Sequence, residues 1–211
     1  MTVLLIGATG PSGREIIKAA QAAGVAIRAL ARRPEALDIG GVEVVKGDVE
    51  NETSLCAAMH GVNAVVSALG TPLILMGPVT LLSRGTANIV SAMRAANVER
   101  FLCITGMGAG DSRGHGGFVY DRIVLPLLLG RIYADKDRQE AVVRHSDLDW
   151  TLIRPAFLKS GPGRGRWREI TNWQGQGKMT AIDRSDVAAF VMQELAAHRY
   201  GRQAVNLSWE G

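Results

Sequence analysis

"TVLLIGATGPSGREIIKAA" (residues 2–20) joins three features whose order decides the fold. TVLLI (2–6) is a continuous apolar run, the pattern of a strand buried on both faces of a parallel sheet. GATGPSG (7–13) then sets Gly7, Gly10 and Gly13 in GxxGxxG spacing. REIIKAAQAAG (14–24) follows with helical spacing and ends at Gly24, a C′ glycine. Glycine permits a tight turn and lets a backbone approach a pyrophosphate, which is then held by the free N–H groups and positive dipole of the helix start. Gly7, Thr9, Gly10, Pro11, Ser12 and Gly13 are therefore candidate dinucleotide contacts, with hydroxyl donors from Thr9 and Ser12. Two rival loops fail. A Walker A loop would end Gly-Lys-Ser/Thr, whereas this chain continues Gly13-Arg14-Glu15; a nucleophile elbow needs Gly-x-Ser-x-Gly, and Gly13 follows Ser12 one position too soon.

Outward from this unit the pattern repeats. VAIRALA (25–31), VEVVKG (42–47), NAVVSALG (63–70), RFLCITG (100–106), LDWTLIRP (148–155) and QAVNLS (203–208) read as strands. Helical segments near 51–60, 79–97 and 131–146 lie between them, and 182–198 forms a late helix with Asp183 as N-cap. This alternation predicts an α/β fold with a doubly wound parallel sheet, Rossmann-like, as one domain over residues 1–211. The uncharged stretch from Val62 to Ser83 is interrupted by Gly70, Pro72, Gly77 and Pro78, and reads as a buried strand and a loop rather than a membrane span.

Composition narrows the function classes. Apolar residues make up 47% of the 211 and charged residues 21%, as in a soluble globular protein. A net charge of +4 favours anionic ligands, but no Lys/Arg run suggests nucleic-acid binding. Cys56 and Cys103 lack CxxC spacing, and His60, His115, His145 and His198 are scattered. No metal and a reduced, cytoplasmic setting are the expectations. MTVLLIGATG has no basic n-region, and its apolar run is too short for a signal peptide.

The second strand ends ALARRPEAL, which puts Arg32 and Arg33 where the adenosine ribose arrives. A carboxylate at this point accepts from the 2′-hydroxyl of NAD, whereas a guanidinium pairs with a 2′-phosphate. No carboxylate lies in residues 25–31, so NADP(H) is the expected cofactor.

The chain resembles the atypical short-chain dehydrogenase/reductases, in the NmrA-like and biliverdin/flavin-reductase-like group. The resemblance rests on GATGPSG, ARRP after strand two, GDVEN (47–51), GVNAVVSALG (61–70), ERFLCITGMGAG (99–110), LDWTLIRPAFL (148–158) and IDRSDVAAFV (182–191), in that order. It implies that Asp48 and Val49 contact adenine and that Ser67, Ala68, Leu69 and Gly70 line the cofactor as far as the nicotinamide ribose. It puts Thr105 in the place of the catalytic or substrate-binding Ser/Thr, with Gly106 beside it. Pro155, Ala156 and Phe157 would pack near the nicotinamide, with Leu158 close by. Typical members pair a tyrosine with a lysine four residues later, the lysine lowering the tyrosine pKa and holding the ribose. Here RIYADKDRQEAVVRHS (131–146) sets Tyr133 and Lys136 three apart, with Ile132 at the tyrosine position. Lys136 is a candidate ribose ligand and Tyr133 a candidate acid, although the helical offset turns Tyr133 away from a substrate carbonyl.

Two stretches leave the carboxyl ends of strands and read as substrate loops, 106–118 and 157–172. The first is glycine-rich, which suggests mobility, and carries His115, an acid candidate or an exposed histidine. The second alternates Arg164, Arg166 and Arg168, with Trp167 on the opposite face if extended. That strip suits an anionic small-molecule substrate beside the nicotinamide, a solvated edge or an oligomer contact. IVLPLLLG (123–130) carries Pro126, expected to break or kink any helix; the run suits core, pocket or subunit contact. The leading expectation is NADPH-dependent reduction of a small conjugated acceptor (flavin-, quinone- or tetrapyrrole-like). The alternatives are an NADP-retaining epimerase or dehydratase and a non-catalytic NADP(H) sensor. A monomer or small homo-oligomer, without nucleic acid or membrane, completes the expectation.

Overall fold

The computed structural model describes residues 1–37, 39–71, 79–174 and 176–209. Residues 72–78, with Pro72, Gly77 and Pro78 of the expected loop, lie outside the described residues. Strands β1 (Thr2–Ile6), β2 (Ala26–Ala31), β3 (Glu43–Lys46), β4 (Ala64–Ser67), β5 (Arg100–Ile104), β6 (Asp149–Pro155) and β10 (Gln203–Ser208) form one parallel sheet in the order β3-β2-β1-β4-β5-β6-β10. Each matches a strand expected from the sequence to within a few residues. The strand order reverses between β1 and β4, which pair with Ile6 opposite Ser67. Ligands of such sheets sit outside the carboxyl ends at that reversal.

Successive residues of β1 divide between two cores, as the period of a strand requires. Val3 and Leu5 join Ile16, Ile17 and Ala20 of α1 (Pro11–Ala22) and Val187, Phe190 and Val191 of α5 (Arg184–Ala197). Leu4 and Ile6 join Leu55 of α2 (Glu52–Ala58), Ile89 and Met93 of α3 (Leu81–Ala95) and Val143 of α4 (Gly130–Arg144). Helices thus cover both faces, which is why β1 contains no polar residue between Val3 and Ile6.

The structure adds elements to the stretches read as loops. Within 157–172 lie β7 (Phe157–Lys159), which pairs in parallel with β9 (Ala181–Asp183), and β8 (Arg168–Ile170), which closes the main sheet antiparallel to β10. Asp183 does occupy the cap position of α5, but its carboxylate accepts from the Gly163 N–H (3.2 Å) instead of capping the helix. Pro126 ends nothing: Tyr120–Leu129 is a π-helix that runs directly into α4. Its wider turn moves the carbonyl four residues back away from the pyrrolidine ring, which relieves the clash expected in an α-helix. The apolar run is shared out accordingly, with Leu125 buried and Ile123, Leu127 and Leu128 exposed.

Helix α3 begins without a side-chain cap of its own. The buried Asp135 carboxylate of α4 serves instead, accepting from Leu82 N (2.9 Å), Ser83 N (3.4 Å) and Ser83 Oγ (2.5 Å). Removing a capping group leaves buried donors unpaired. Asp135→Ala is therefore expected to lower unfolding free energy by roughly 2 kcal/mol. Equilibrium urea denaturation measures this as a lower midpoint at unchanged slope.

Candidate active site

At the β1–β4 reversal lies a cavity of about 600 Å³. Its floor is the glycine turn: Gly7 has φ +81°, and a Cβ there would stand 2.4 Å from the Ala68 carbonyl oxygen. Gly13 is buried, and a Cβ on it would come within 2.3 Å of the Gly7 oxygen, so helix and strand meet at backbone distance. Gly10 N donates to Gly7 O (3.1 Å) and closes the turn. Helix α1 starts at Pro11 with no acidic residue in its first turn and no side-chain cap. Its amide end is thus left for an anion, the arrangement that holds a pyrophosphate. Gly7, Thr9, Gly10, Pro11 and Ser12 line the cavity, while Gly13 acts from beneath it by allowing the close approach.

At one end the wall is made by Leu30, Ala31, Arg32, Gly47, Asp48 and Val49. Arg32 is exposed and lines the cavity; Arg33 does not, because the chain turns at Pro34 into a short 3₁₀ segment. Asp48 is held by its neighbours, its N–H donating to Ser54 Oγ (3.0 Å) while its carboxylate accepts from Glu50 N (3.0 Å). Ala68, Leu69, Gly70 and Thr71 carry the lining past the turn. Ser67 does not join them: it is opposite Cys103 on the face turned to α3 and α4, and its Oγ has no partner among the described residues.

At the other end the wall is Leu81, Leu82, Leu129, Ile132, Tyr133, Lys136 and Leu158. Tyr133 does not point away from the site as its offset suggested. A Cβ on Gly106 would meet both Tyr133 Oη (3.2 Å) and Lys136 Nζ (3.4 Å), so the two polar groups sit side by side over that glycine. Ile132 instead packs on Val79 and Leu82. The Lys136 ammonium donates to the Thr105 carbonyl, and burial brings its pKa down to about 8, against the opposing pull of Cys103, Glu140 and Asp135. Burial also pushes the Tyr133 phenol well above its ordinary value, as does its contact with Tyr120.

Thr105 is turned inward. Its hydroxyl donates to Glu140 Oε1 (2.8 Å), and Glu140 also accepts from Arg154 Nε (2.9 Å) and Nη2 (2.5 Å). Alternation carried on from β5 puts Thr105 on the side of Phe101 and Cys103, facing α4, which is why its hydroxyl meets Glu140 and Thr105 stays out of the cavity lining. Pro155 and Ala156 are buried in the sheet end, and the half-exposed Phe157 meets Tyr120 edge-on at 4.7 Å; Leu158 alone of this group lines the cavity.

The remaining candidates lie elsewhere. His115 stacks on Trp173 (3.7 Å, 5° between planes) beside a separate cavity lined by Phe118, Arg122 and Lys178. The arginine strip is taken up in packing: Arg164 stacks on the Trp209 ring at 3.6 Å, and Arg168 donates to the Lys178 and Trp209 carbonyls. Neither Arg164, Arg166 nor Arg168 lines the cavity at the β1–β4 reversal. The glycine-rich loop 106–118 is shaped by clearance, since a Cβ on Gly110 would meet Arg154 Nη2 at 2.4 Å and one on Gly116 would meet Tyr120 Cδ1 at 2.3 Å. Residues that the sequence reading passed over include Thr71, Leu81, Leu82 and Arg184, all in the lining, and Tyr120 and Glu140 behind it. Arg184 stood within the quoted IDRSD, directly after a cap residue, and that position was its available signal. Among the described residues no group of three or more His, Cys, Asp or Glu side chains is arranged to hold a metal, and no helix is long and apolar enough to cross a membrane.

Comparison with known proteins agrees with this geometry. Residues 7–198 match the family model described as NAD(P)H-binding. An NAD(P)H azoreductase of Xenophilus azovorans is 29% identical over 210 residues, covering 96% of this chain and 66% of its own length. An anaerobilin reductase from Escherichia coli O157:H7 superposes with a TM-score of 0.82 at 23% identity, over 99% of this chain and 97% of that one. A short-chain dehydrogenase/reductase of Veillonella parvula in complex with NADP gives 0.81 at 18% identity, over 100% and 95%. With the glycine turn, the reversal-point cavity and a family match spanning nearly the whole fold, the chain belongs to the NAD(P)H-binding family.

Proposed function

We propose that the protein is an NADPH-dependent reductase of a small, largely apolar, conjugated acceptor, of flavin, quinone, tetrapyrrole or azo type. The observation that carries the reading is the pairing of Tyr133 Oη and Lys136 Nζ over Gly106, on the wall of the cavity that begins at the glycine turn. When bound, the dinucleotide supplies a hydride. The chain's own residues hold the pyrophosphate at the Gly7–Ser12 turn, the 2′-phosphate at Arg32, the adenine beside Asp48 and Val49, and the nicotinamide ribose at Lys136. Leu81, Leu82, Leu129, Ile132 and Leu158 exclude water and favour a flat apolar acceptor. Tyr133 supplies the proton that accompanies reduction: its O–H bond breaks, a bond to hydrogen forms on the acceptor, and water restores the phenol. The azoreductase relative and the anaerobilin reductase neighbour both reduce conjugated systems by name, which supports this acceptor class.

Following NADPH absorbance with a panel of flavins, quinones, azo dyes and tetrapyrroles tests the reading. Turnover with at least one acceptor is expected, falling by roughly a hundredfold in Tyr133→Phe, the size of a general-acid contribution. Firm NADPH binding without turnover of any of them would point to the sensor instead. Arg32→Ala is expected to weaken NADPH about tenfold, near 1.4 kcal/mol, and to leave NADH unchanged. Equal losses for the two cofactors would remove the 2′-phosphate role. The sign of the pH effect follows from Lys136. Its ammonium donates only while protonated, so NADPH affinity should be constant below about pH 8 and fall at higher pH. In Lys136→Met the calorimetric affinity should lose that dependence.

A further inference from the structure

Tyr120 belongs to no part of the dinucleotide site, yet its phenol is buried against it. Its Oη lies 3.0 Å from Tyr133 Oη and donates across 3.2 Å to the Met107 carbonyl. Three glycines make this meeting possible. A Cβ on Gly106 would press on Tyr133 Oη, one on Gly108 (φ +101°) would come within 3.0 Å of the Tyr133 ring and 3.5 Å of Tyr120 Oη, and one on Gly116 would collide with the Tyr120 ring. Phe157 closes the far side edge-on. Among the described residues, the one side-chain hydroxyl within reach of this enclosed phenol is that of Tyr133.

We propose that Tyr120 is a positioning residue for Tyr133, holding its hydroxyl in one of two hydrogen-bonded states. The inference rests on Tyr133 being the proton donor.

Each phenol has one proton. With no acceptor bound, Tyr133 donates to Tyr120 and Tyr120 donates to Met107 O, so both protons are satisfied and Tyr133 turns lone pairs to the cavity. When an acceptor atom offers a better partner, Tyr133 donates into the cavity and Tyr120 rotates its O–H onto the Tyr133 oxygen. The second state is the useful one. After the Tyr133 O–H bond breaks, the phenolate keeps a hydrogen bond from Tyr120 and the field of the Lys136 ammonium, 5.7 Å from its ring centre. Burial is the chief cause of the raised Tyr133 pKa in the free protein, and the contact with Tyr120 adds to it.

The test uses the whole protein labelled with [13Cζ]tyrosine, whose three resonances (Tyr120, Tyr133 and Tyr200) are assigned by Tyr→Phe variants. Tyr120→Phe keeps the ring that packs on Phe157 and removes only the hydroxyl. The Tyr133 resonance is expected to move while that of Tyr200 stays. With the best acceptor of the panel, kcat should fall about tenfold, with KM for NADPH and Tm little changed. An unmoved Tyr133 resonance overturns the inference without requiring any turnover. A loss of kcat in Tyr133→Phe but not in Tyr120→Phe also overturns it, leaving Tyr133 as donor. Full activity in Tyr133→Phe would remove the donor reading itself, and the inference with it.

Discussion

Glu140 is the side chain on which the reactive end of the molecule depends. It is 2% exposed on α4, and its carboxylate accepts from Thr105, directly after β5, and twice from Arg154 of β6, itself fully buried. Arg154 reaches on to Asp111 (2.7 Å), which ties in the loop after β5. Transferring an unpaired carboxylate from water to such a site costs several kcal/mol, so the arrangement persists only with every partner present. One helix is thereby fixed to two strands and a loop. Tyr133 and Lys136 lie one to two turns before Glu140 on the same rigid rod, and their place over Gly106 is inherited from that fixing.

The adjoining face of α4, toward α3, is fixed just as firmly. Asp135 caps α3, while Gln139 donates to Thr86 Oγ1 (3.1 Å) and reaches Cys103 Sγ (3.5 Å). Cys103, the thiol nearest the site, is wholly buried, and its pKa is pushed up to about 12 by desolvation, so it is an inert part of this packing and not a nucleophile. Buried polar contacts of this kind set position more than they add stability, and the apolar clusters on either side of the sheet supply the greater part of the latter.

How far the sequence was legible follows from whether a residue's role is local. GATGPSG is a local demand: a strand, a tight turn and a helix start require particular backbone angles, so Gly7 to Ser12 could be read directly. Arg32 could be placed at the cavity wall because it follows directly on the end of the second strand. Thr105 lies outside the cavity lining, and the signal for that was present. Phe101, Cys103 and Thr105 alternate on one face of β5, and an apolar pair there already implied the covered side. The loop from 106 to 118 uses its glycines in a way the sequence did not display. Glycine that permits mobility and glycine that makes room for a ring look alike in sequence, and the rings it clears belong to Tyr120, Tyr133 and the Arg154 side chain. Tyr120 was invisible because a π-helix breaks the 3.6-residue period from which facing residues are inferred.

The three-residue spacing of Tyr133 and Lys136 has its explanation in the same geometry. Seen down α4 from Lys136, position 133 lies about 60° to one side and position 132 about 40° to the other. The side of position 132 faces α3, where Ile132 packs on Val79 and Leu82. The side of position 133 faces the glycine-rich loop and the π-helix, where a long phenol reaches back over Gly106. A tyrosine at 132 would displace the contact that seats α4 on α3; at 133 it requires only that loop 106–116 carry no Cβ in its path. The displaced pair and the glycine loop are therefore one structural solution. The paired substitutions that move the phenol from position 133 to 132, or a side chain at Gly106 or Gly108, would break it from either end.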